Sequence, residues 1–506
     1  MLLMAEQLAA DPDLETLDLE GQSLGKKGAR KLAKELLEHK SLKELNLACN
    51  DFGDAGAEAI AAVLQRNQVL RSVNLRNNKI SDDGARCLAD ALCRAARSSP
   101  GGWLTELSLG HNSLGDAAMQ SLSQALAQSS NLRELDLSSC GEGISGSAWE
   151  KLAASLQACS SLTSLKLRDN NIGDASAAAL ALALAGSGTC RLKELDLSRC
   201  SLGDKGALCI FHALRTQVDT DSGGSDSGLK RLNLPGNHFG PGIVEGLAAI
   251  FQSGAGLEEL DLSRCNLGAE AGMLLGPALA KGTGALRELR LCRNGLGIDG
   301  ARGLSEGLAS SECRLQSLSL RENHLDDAGI GAISEALKSN RALKELELCG
   351  NGIGDLGASS LGLALVMNMK LSVLNLQDNL IGDPGADGLA VGIERNKVLQ
   401  ELDLGGNGRL GNAGVGRLAQ ALGKNSTLRS LGLQGSSADP EAVQCLEELA
   451  ADPAARRTGE SDEVFETPLE GDAFGLDSQL SCGSEESSSS HSDDSESDHE
   501  REVAGL

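Results

Sequence analysis

Residues 42–53 read LKELNLACNDFG, and residues 162–173 read LTSLKLRDNNIG. Both fit one frame, L-x-x-L-x-L-x-x-[N/C]-x-[L/I/F]-G. Counted by its first leucine, the frame occurs fifteen times, at Leu14, Leu42, Leu70, Leu104, Leu132, Leu162, Leu192, Leu229, Leu257, Leu286, Leu315, Leu343, Leu371, Leu399 and Leu428. Most steps between copies are 28 or 29 residues, so the repeat, and not a 506-residue globule, is the unit to be folded. Within a copy, two leucines two apart and a third three residues earlier fit a short strand whose alternate side chains point inward.

A helix follows each strand. In the second copy Asp54 is read as the helix N-cap, and Ala57, Ile60, Ala61 and Leu64 then make one apolar stripe. The same Gly-Asp-x-x-Ala start places caps at Asp174, Asp204 and Asp355. No single strand–helix unit can cover its own apolar face, whereas stacked units share one core and set parallel strands side by side. The ninth position is Asn in ten copies, from Asn50 to Asn407, and Cys at Cys140, Cys200 and Cys265. Those amides are read as structural, bridging the backbone of successive turns. Gln22 and Ser436 replace them in the two terminal copies, as capping repeats should. The last helix opens Asp439-Pro440-Glu441, a capping Asp before a proline at the first helical position, and Leu446 and Leu449 are expected to close the core. Two copies overrun the period, through residues 98–102 and 219–227, which predicts longer surface loops there.

Residues 1–450 are thus read as a repeat solenoid with capped ends, and 451–506 as a disordered tail rich in Ser, Asp and Glu. Sixteen acidic and three basic residues give that tail −13 of the chain's net −25. Ser490, Ser495 and Ser497 each precede an acidic residue by three places, and Thr467 precedes Pro468; all four are candidate phosphorylation sites.

The net negative charge argues against nucleic acid or an anionic membrane surface as partner and favours a basic one. Met1 to Ala10 lacks a basic segment and an apolar stretch of signal-peptide length, so a cytoplasmic or nuclear place is expected. Fourteen cysteines without CxxC spacing read as reduced and mostly buried. Asn425-Ser426-Thr427 is a glycosylation sequon in form only.

The repeated motif resembles the ribonuclease-inhibitor-like leucine-rich repeats from about Leu14 to Leu449. The resemblance implies an α/β horseshoe of about fifteen strand–helix repeats, with a parallel sheet on the concave side and helices on the convex side. It is a class that includes NOD-like receptor arms, Ran GTPase-activating proteins, tropomodulin-like actin cappers and ciliary proteins. As in those families, binding of another protein is the implied activity. A NOD-like receptor would need G-x-x-x-x-G-K-[ST], which is absent. The aromatic anchors of ribonuclease-inhibitor-type binding are also missing from the inner face. Phe52 and Phe239 take the buried turn position, Phe211, Phe251 and Trp149 lie in helices, and Trp103 precedes a strand. A Ran-type GTPase activator, which is similar in joining such an arc to an acidic segment, is the alternative reading. A structural component of cilia or cytoskeleton is another.

Solvent-facing inner positions are the third, fifth and seventh of each copy. They carry Glu44, Glu106, Glu134, Glu194, Glu259, Glu288, Glu345 and Glu401 at the third, and Asp18, Asp136, Asp196, Asp261, Glu347 and Asp403 at the fifth. Strands about 4.8 Å apart would line these carboxylates into acidic rows. Arg76, Lys166, Arg168, Arg290, Arg293 and Arg321 interrupt them, and Arg168, Arg290 and Arg321 are the expected anchors for a partner's carboxylates. The acidic pairs repeat with the scaffold, so no catalytic acid and base are marked out, and no catalytic residue, cofactor or metal site is predicted. Seven histidines show no ligand spacing. Cys292 and Cys349, two repeats apart, would be too distant for a disulfide. Without exposed aromatics, a monomer is expected.

Overall fold

The computed structural model describes residues 11–98, 104–141, 143–186, 190–220, 228–240, 242–253, 255–282 and 284–451. Within them fifteen three-residue strands, from β1 (Thr16–Asp18) to β15 (Ser430–Gly432), alternate with fifteen helices, from α1 (Gly25–Glu38) to α15 (Pro440–Ala451). The strands pair in chain order as one parallel sheet. Helices pack about 8–10 Å apart and strands about 4.8 Å, so the stack bends with the sheet on its inner side. The tail with Thr467, Ser490, Ser495 and Ser497, Trp103 and most of both overrunning segments lie outside the described residues.

The core repeats with the motif. Leu42, Leu45, Leu47, Phe52 and Ile60 are each at most 2% exposed, and burial of each stabilises the fold by about 2 kcal/mol. Each strand is short because the eighth position turns left-handed, at Cys49 (φ 60), Asp169 (φ 58), Arg264 (φ 59) and Arg293 (φ 55) among others. A side chain there costs on the order of 1 kcal/mol, and the stack overrides that cost copy after copy.

The ninth-position amides are structural. Asn50 Nδ2 donates to the carbonyls of Leu19 (2.8 Å), Leu47 (3.0 Å) and Ala48 (3.0 Å), and its Oδ1 accepts from the Leu24 N–H at 3.2 Å. Cysteine fills the slot with one donor: Cys200 Sγ reaches Leu167 O at 3.2 Å and Cys265 Sγ reaches Leu234 O at 3.3 Å. Burial pushes the thiols of Cys140, Cys200 and Cys265 up to about 12. A second amide ladder lies at the helix ends, where Asn340, Asn368 and Asn396 donate to Leu308, Leu337 and Leu365 carbonyls at 2.7 Å. Asn425 belongs to it: 3% exposed and bonded to Ile393 O and Asn396 O, it is closed to glycosylation.

The aspartate caps are corrected. Asp54 does not cap its own helix, which has no side-chain cap. Its carboxylate instead accepts from Ser81 N–H (2.7 Å), Ser81 O–H (2.7 Å) and Gly84 N–H (3.0 Å) at the start of the next helix. Asp174 likewise serves Gly203 and Gly206, Asp204 serves Gly240, and Asp355 serves Gly382 and Gly385. The physical reason is reach: helix starts stack side by side, so the orphan N–H groups of the following turn lie beside the carboxylate. The terminal cap is as expected at Asp439, which accepts from the Glu441 N–H at 3.0 Å. Leu446 and Ala450 of α15 are fully buried, with Leu449 only partly covered. Glu447 of the same helix accepts the Leu433 N–H at 2.8 Å, closing the sheet's last edge.

Candidate partner-binding face

The strand side chains alternate as the motif requires, with the central residue buried and its two neighbours at least partly open, except where the neighbour is the buried Ser164 or Ser319. The seventh position is corrected in part. It reaches solvent where the side chain is long, as at Arg76 and Arg168, whereas Ser138, Ser198 and Cys349 there are 7%, 5% and 2% exposed. Short side chains fall into the turn and do not contribute to the face.

Strand register sets which charges meet. Glu106 stands beside Glu134, and Glu259 (β9, Glu259–Asp261) beside Glu288 (β10, Glu288–Arg290). Others are separated by small or polar neighbours: Ser72 lies between Glu44 and Glu106, Ser317 between Glu288 and Glu345, and Val373 between Glu345 and Glu401. The fifth-position acids hold a second task. Asp136, Asp196, Asp261 and Asp403 each accept, at 2.9 Å, the N–H two residues on, which fixes the turn; the second oxygen of Asp136 accepts from Ser108 Oγ and that of Asp403 from Gln377 Nε2.

The face divides into two zones. From β5 (Glu134–Asp136) to β8 (Arg231–Asn233) the third-position acids are matched: Lys166 donates to Glu134 at 2.5 Å and Arg231 to Glu194 at 3.0 Å. Burial works against the Lys166 ammonium, but its bond to Glu134 and the charges of Glu134, Glu194 and Asp136 outweigh it and raise its pKa. Arg231, the third residue of its copy, was a legible position that the acidic pattern obscured. From β9 to β12 (Glu345–Glu347), five carboxylates (Glu259, Asp261, Glu288, Glu345, Glu347) share the face with two guanidinium groups, Arg290 and Arg321, while Arg231 of β8 stands beside Glu259 at its edge. Burial raises the Glu288 carboxyl, Arg290 opposes this, and the charges of Glu259, Glu345 and Asp261 add to it. A half-buried carboxylate crowded by like charge is a place where an incoming cation is favoured.

The three expected arginine anchors differ. Arg168 pairs with Asp169 at 3.1 Å, and Arg290 pairs with Glu288 on its own strand. Arg321, half-buried, makes no ion pair among the described residues and stands near Cys349. Cys349 is pushed up to about 11, chiefly by burial, and Cys292 contacts Ser319 Oγ at 3.0 Å. No disulfide or group of three metal-ligating side chains occurs among the described residues.

The continuous strand–helix stack with this open strand face defines a leucine-rich repeat solenoid. The family profile "Leucine Rich repeat" matches ten stretches, at 38–61, 66–89, 103–123, 158–181, 190–211, 257–276, 313–334, 339–362, 368–390 and 395–419. The mouse NACHT, LRR and PYD domains-containing protein 12 is 33% identical over 193 residues, covering 34% of this chain and 18% of that protein. Mouse ribonuclease inhibitor is 30% identical over 166 residues, covering 32% of this chain and 34% of that protein. The chain therefore spans about a third or less of the curated relatives it matches. It is a leucine-rich repeat protein, similar over part of its length to ribonuclease inhibitor. Among solved structures, that of the yeast Rad7 and Elc1 complex is 18% identical with a TM-score of 0.42, covering 82% of this chain and 85% of that chain. No described helix is long and apolar enough to cross a membrane.

Proposed function

We propose that this chain is a non-catalytic protein-binding scaffold, and that the acidic zone from β9 to β12 takes up the basic surface of a partner protein. The observation that carries this reading is the crowding of Glu259, Asp261 and Glu345 about the half-buried Glu288, which Arg290 alone offsets. Five unmatched or partly matched carboxylates focus a negative field on one patch, which raises the local concentration of cationic groups and speeds encounter. The matched pairs from β5 to β8 act differently: exposed ion pairs contribute little stability, roughly 0–1 kcal/mol, and set register and not affinity. Arg321 is the cation we assign to a carboxylate of the same partner, since its guanidinium is uncommitted within the face. Arg168 and Arg290 are secondary, because a partner's carboxylate would compete with Asp169 and Glu288. The partner is taken to meet a monomer in the cytoplasm or nucleus; likeness to ribonuclease inhibitor over a third of its length supports protein binding.

The test is capture from a cell extract on the whole chain and on a Glu259→Lys, Glu288→Lys, Glu345→Lys variant, with elution by salt and mass spectrometry. Basic proteins held by the first and missing from the second support the reading. Equal recovery on both baits refutes it.

A further inference from the structure

The helix Asp355–Met367, called α12, has the sequence DLGASSLGLALVM and no charge beyond Asp355. Ala358, Leu361, Ala364 and Leu365 pack it into the solenoid. On its other side Leu356, Leu363 and Met367 are 75%, 58% and 54% exposed, and Met369 just beyond is 58% exposed. A surface helix ordinarily turns polar residues outward, whereas a helix apolar all round is covered on both sides. The preceding helix α11 (Asp326–Ser339) has Ala328, Glu335 and Ser339 at the matching positions, so the repeat does not require apolar residues there. Val391 of α13 (Asp383–Arg395) extends the surface, giving a patch on the order of a few hundred Å², at the size that marks interaction sites.

The platform is stiff. A Cβ at Gly362 would stand 2.0 Å from the Gly388 carbonyl oxygen, and one at Gly392 2.4 Å from that of Gly362, so α12 and α13 touch backbone to backbone.

Charge names the occupant. The carboxylates near the patch are engaged: Asp355 with Gly382 and Gly385 N–H groups, Asp387 with Arg417 (2.6 Å), Glu394 with Lys424 (3.0 Å) and Glu335 with Lys338 (2.5 Å). Lys370, Arg395 and Lys397, exposed beside Met367 and Met369, make no ion pair among the described residues. Cations suit helix C-termini, which accounts for their presence but not for the bare apolar surface next to them. A chain of net −25 therefore offers here an apolar strip with a cationic border.

We infer that this outer face is a second docking surface and that its occupant is an acidic amphipathic helix of another protein. Its apolar stripe sits along Leu356, Leu363 and Met367, a run of about three helical turns, and its acidic edge faces Lys370, Arg395 and Lys397. The inference is independent of the strand face, since it uses residues of two helices and of the turns just after them, and none of the strands.

The test selects displayed helical peptides, with a fixed apolar stripe and randomised flanks, on the immobilised full-length chain. Winners are then titrated against the chain, Leu363→Asp, Leu356→Asp and a Lys370→Glu, Arg395→Glu, Lys397→Glu variant. The expected result is enrichment of acidic flanks, loss of at least about tenfold in affinity with either aspartate, and reversal towards basic flanks with the charge-swapped variant. The altered side chains are exposed, so thermal midpoints are expected to stay at the parent value, and two single variants guard against one that misfolds. Enrichment of basic flanks, absence of enrichment, or affinities indifferent to the aspartates overturns the inference. A dimer in sedimentation that Leu363→Asp abolishes would assign the face to a second copy and overturn it equally.

Discussion

Replacement of Asn323 by alanine should unlock one rung of the amide ladder. Asn323 is fully buried; its Nδ2 donates to Leu291 O (2.8 Å), Leu320 O (3.0 Å) and Arg321 O (3.2 Å). Its Oδ1 accepts the N–H groups of Asn294 (3.0 Å) and Leu296 (3.3 Å) in the preceding repeat. At about 1 kcal/mol net per bond, with an extra cost for groups left buried and unpaired, truncation should destabilise by about 3–5 kcal/mol. Asn323→Cys should cost roughly half as much, because Cys265 already fills this slot in another copy, donating to Leu234 O. Long repeat arrays need not unfold in one step, so the assay is hydrogen exchange joined to a urea melt. Protection should fall first at the Asn294 and Leu296 amides and at their neighbours, and only later in distant repeats. Exchange and melting unchanged in the alanine variant, or equal losses for alanine and cysteine, would refute the reasoning.

Asp54→Ala, which strips the next helix of a cap made through Ser81 and Gly84, should cost about 1–2 kcal/mol in a chemical melt. Burial tends to raise the Asp54 carboxyl, yet its hydrogen bonds to Ser81 and Gly84 lower it overall, so its stabilisation is present above the ordinary aspartate pKa and is lost as pH falls through the lowered one. The alanine variant should therefore lose less stability on acidification below about pH 4 than the parent does; an identical loss would count against the inter-repeat cap. Among the described cysteines, thiol titration of the native chain should find Cys49, Cys209 and Cys445, which are exposed, reacting first, and Cys140, Cys200 and Cys265 silent until unfolding. Gly362→Ala should lower the thermal midpoint, since its new methyl would collide with the Gly388 backbone; an unchanged midpoint would show that the helices can separate freely.

The repeat was legible because its period in sequence is its period in space. Leu45, Leu47 and Phe52 state the core directly, and the ninth-position Asn or Cys can be read as a buried bridge from position alone. Asp54 could not be assigned from local rules, which give a helix-start carboxylate to its own helix. Its true partners lie 27 to 30 residues ahead, in the next stacked turn. The second ladder had a signal, an asparagine three places before the first leucine at Asn340, Asn368 and Asn396, but its meaning depends on where the previous helix ends. On the strand face the carboxylates were legible one by one, whereas their neutralisation was not. Whether Glu194 is matched depends on Arg231 lying opposite it in register, and whether Glu288 is crowded depends on small Ser317 beside it. The outer patch of α12 escaped notice because a leucine-rich helix is expected in such a repeat, and only burial separates Leu361, which is covered, from Leu363, which is not.

The most direct test of the central claim is the salt dependence of affinity for a partner recovered by capture, measured from about 0.05 M to about 0.3 M salt for the parent chain and for a Glu259→Gln, Glu288→Gln, Glu345→Gln variant. Binding through the β9–β12 carboxylates predicts an affinity that falls steeply with salt in the parent, and a weaker, flatter dependence in the variant. The same affinity and the same slope in both proteins would contradict it.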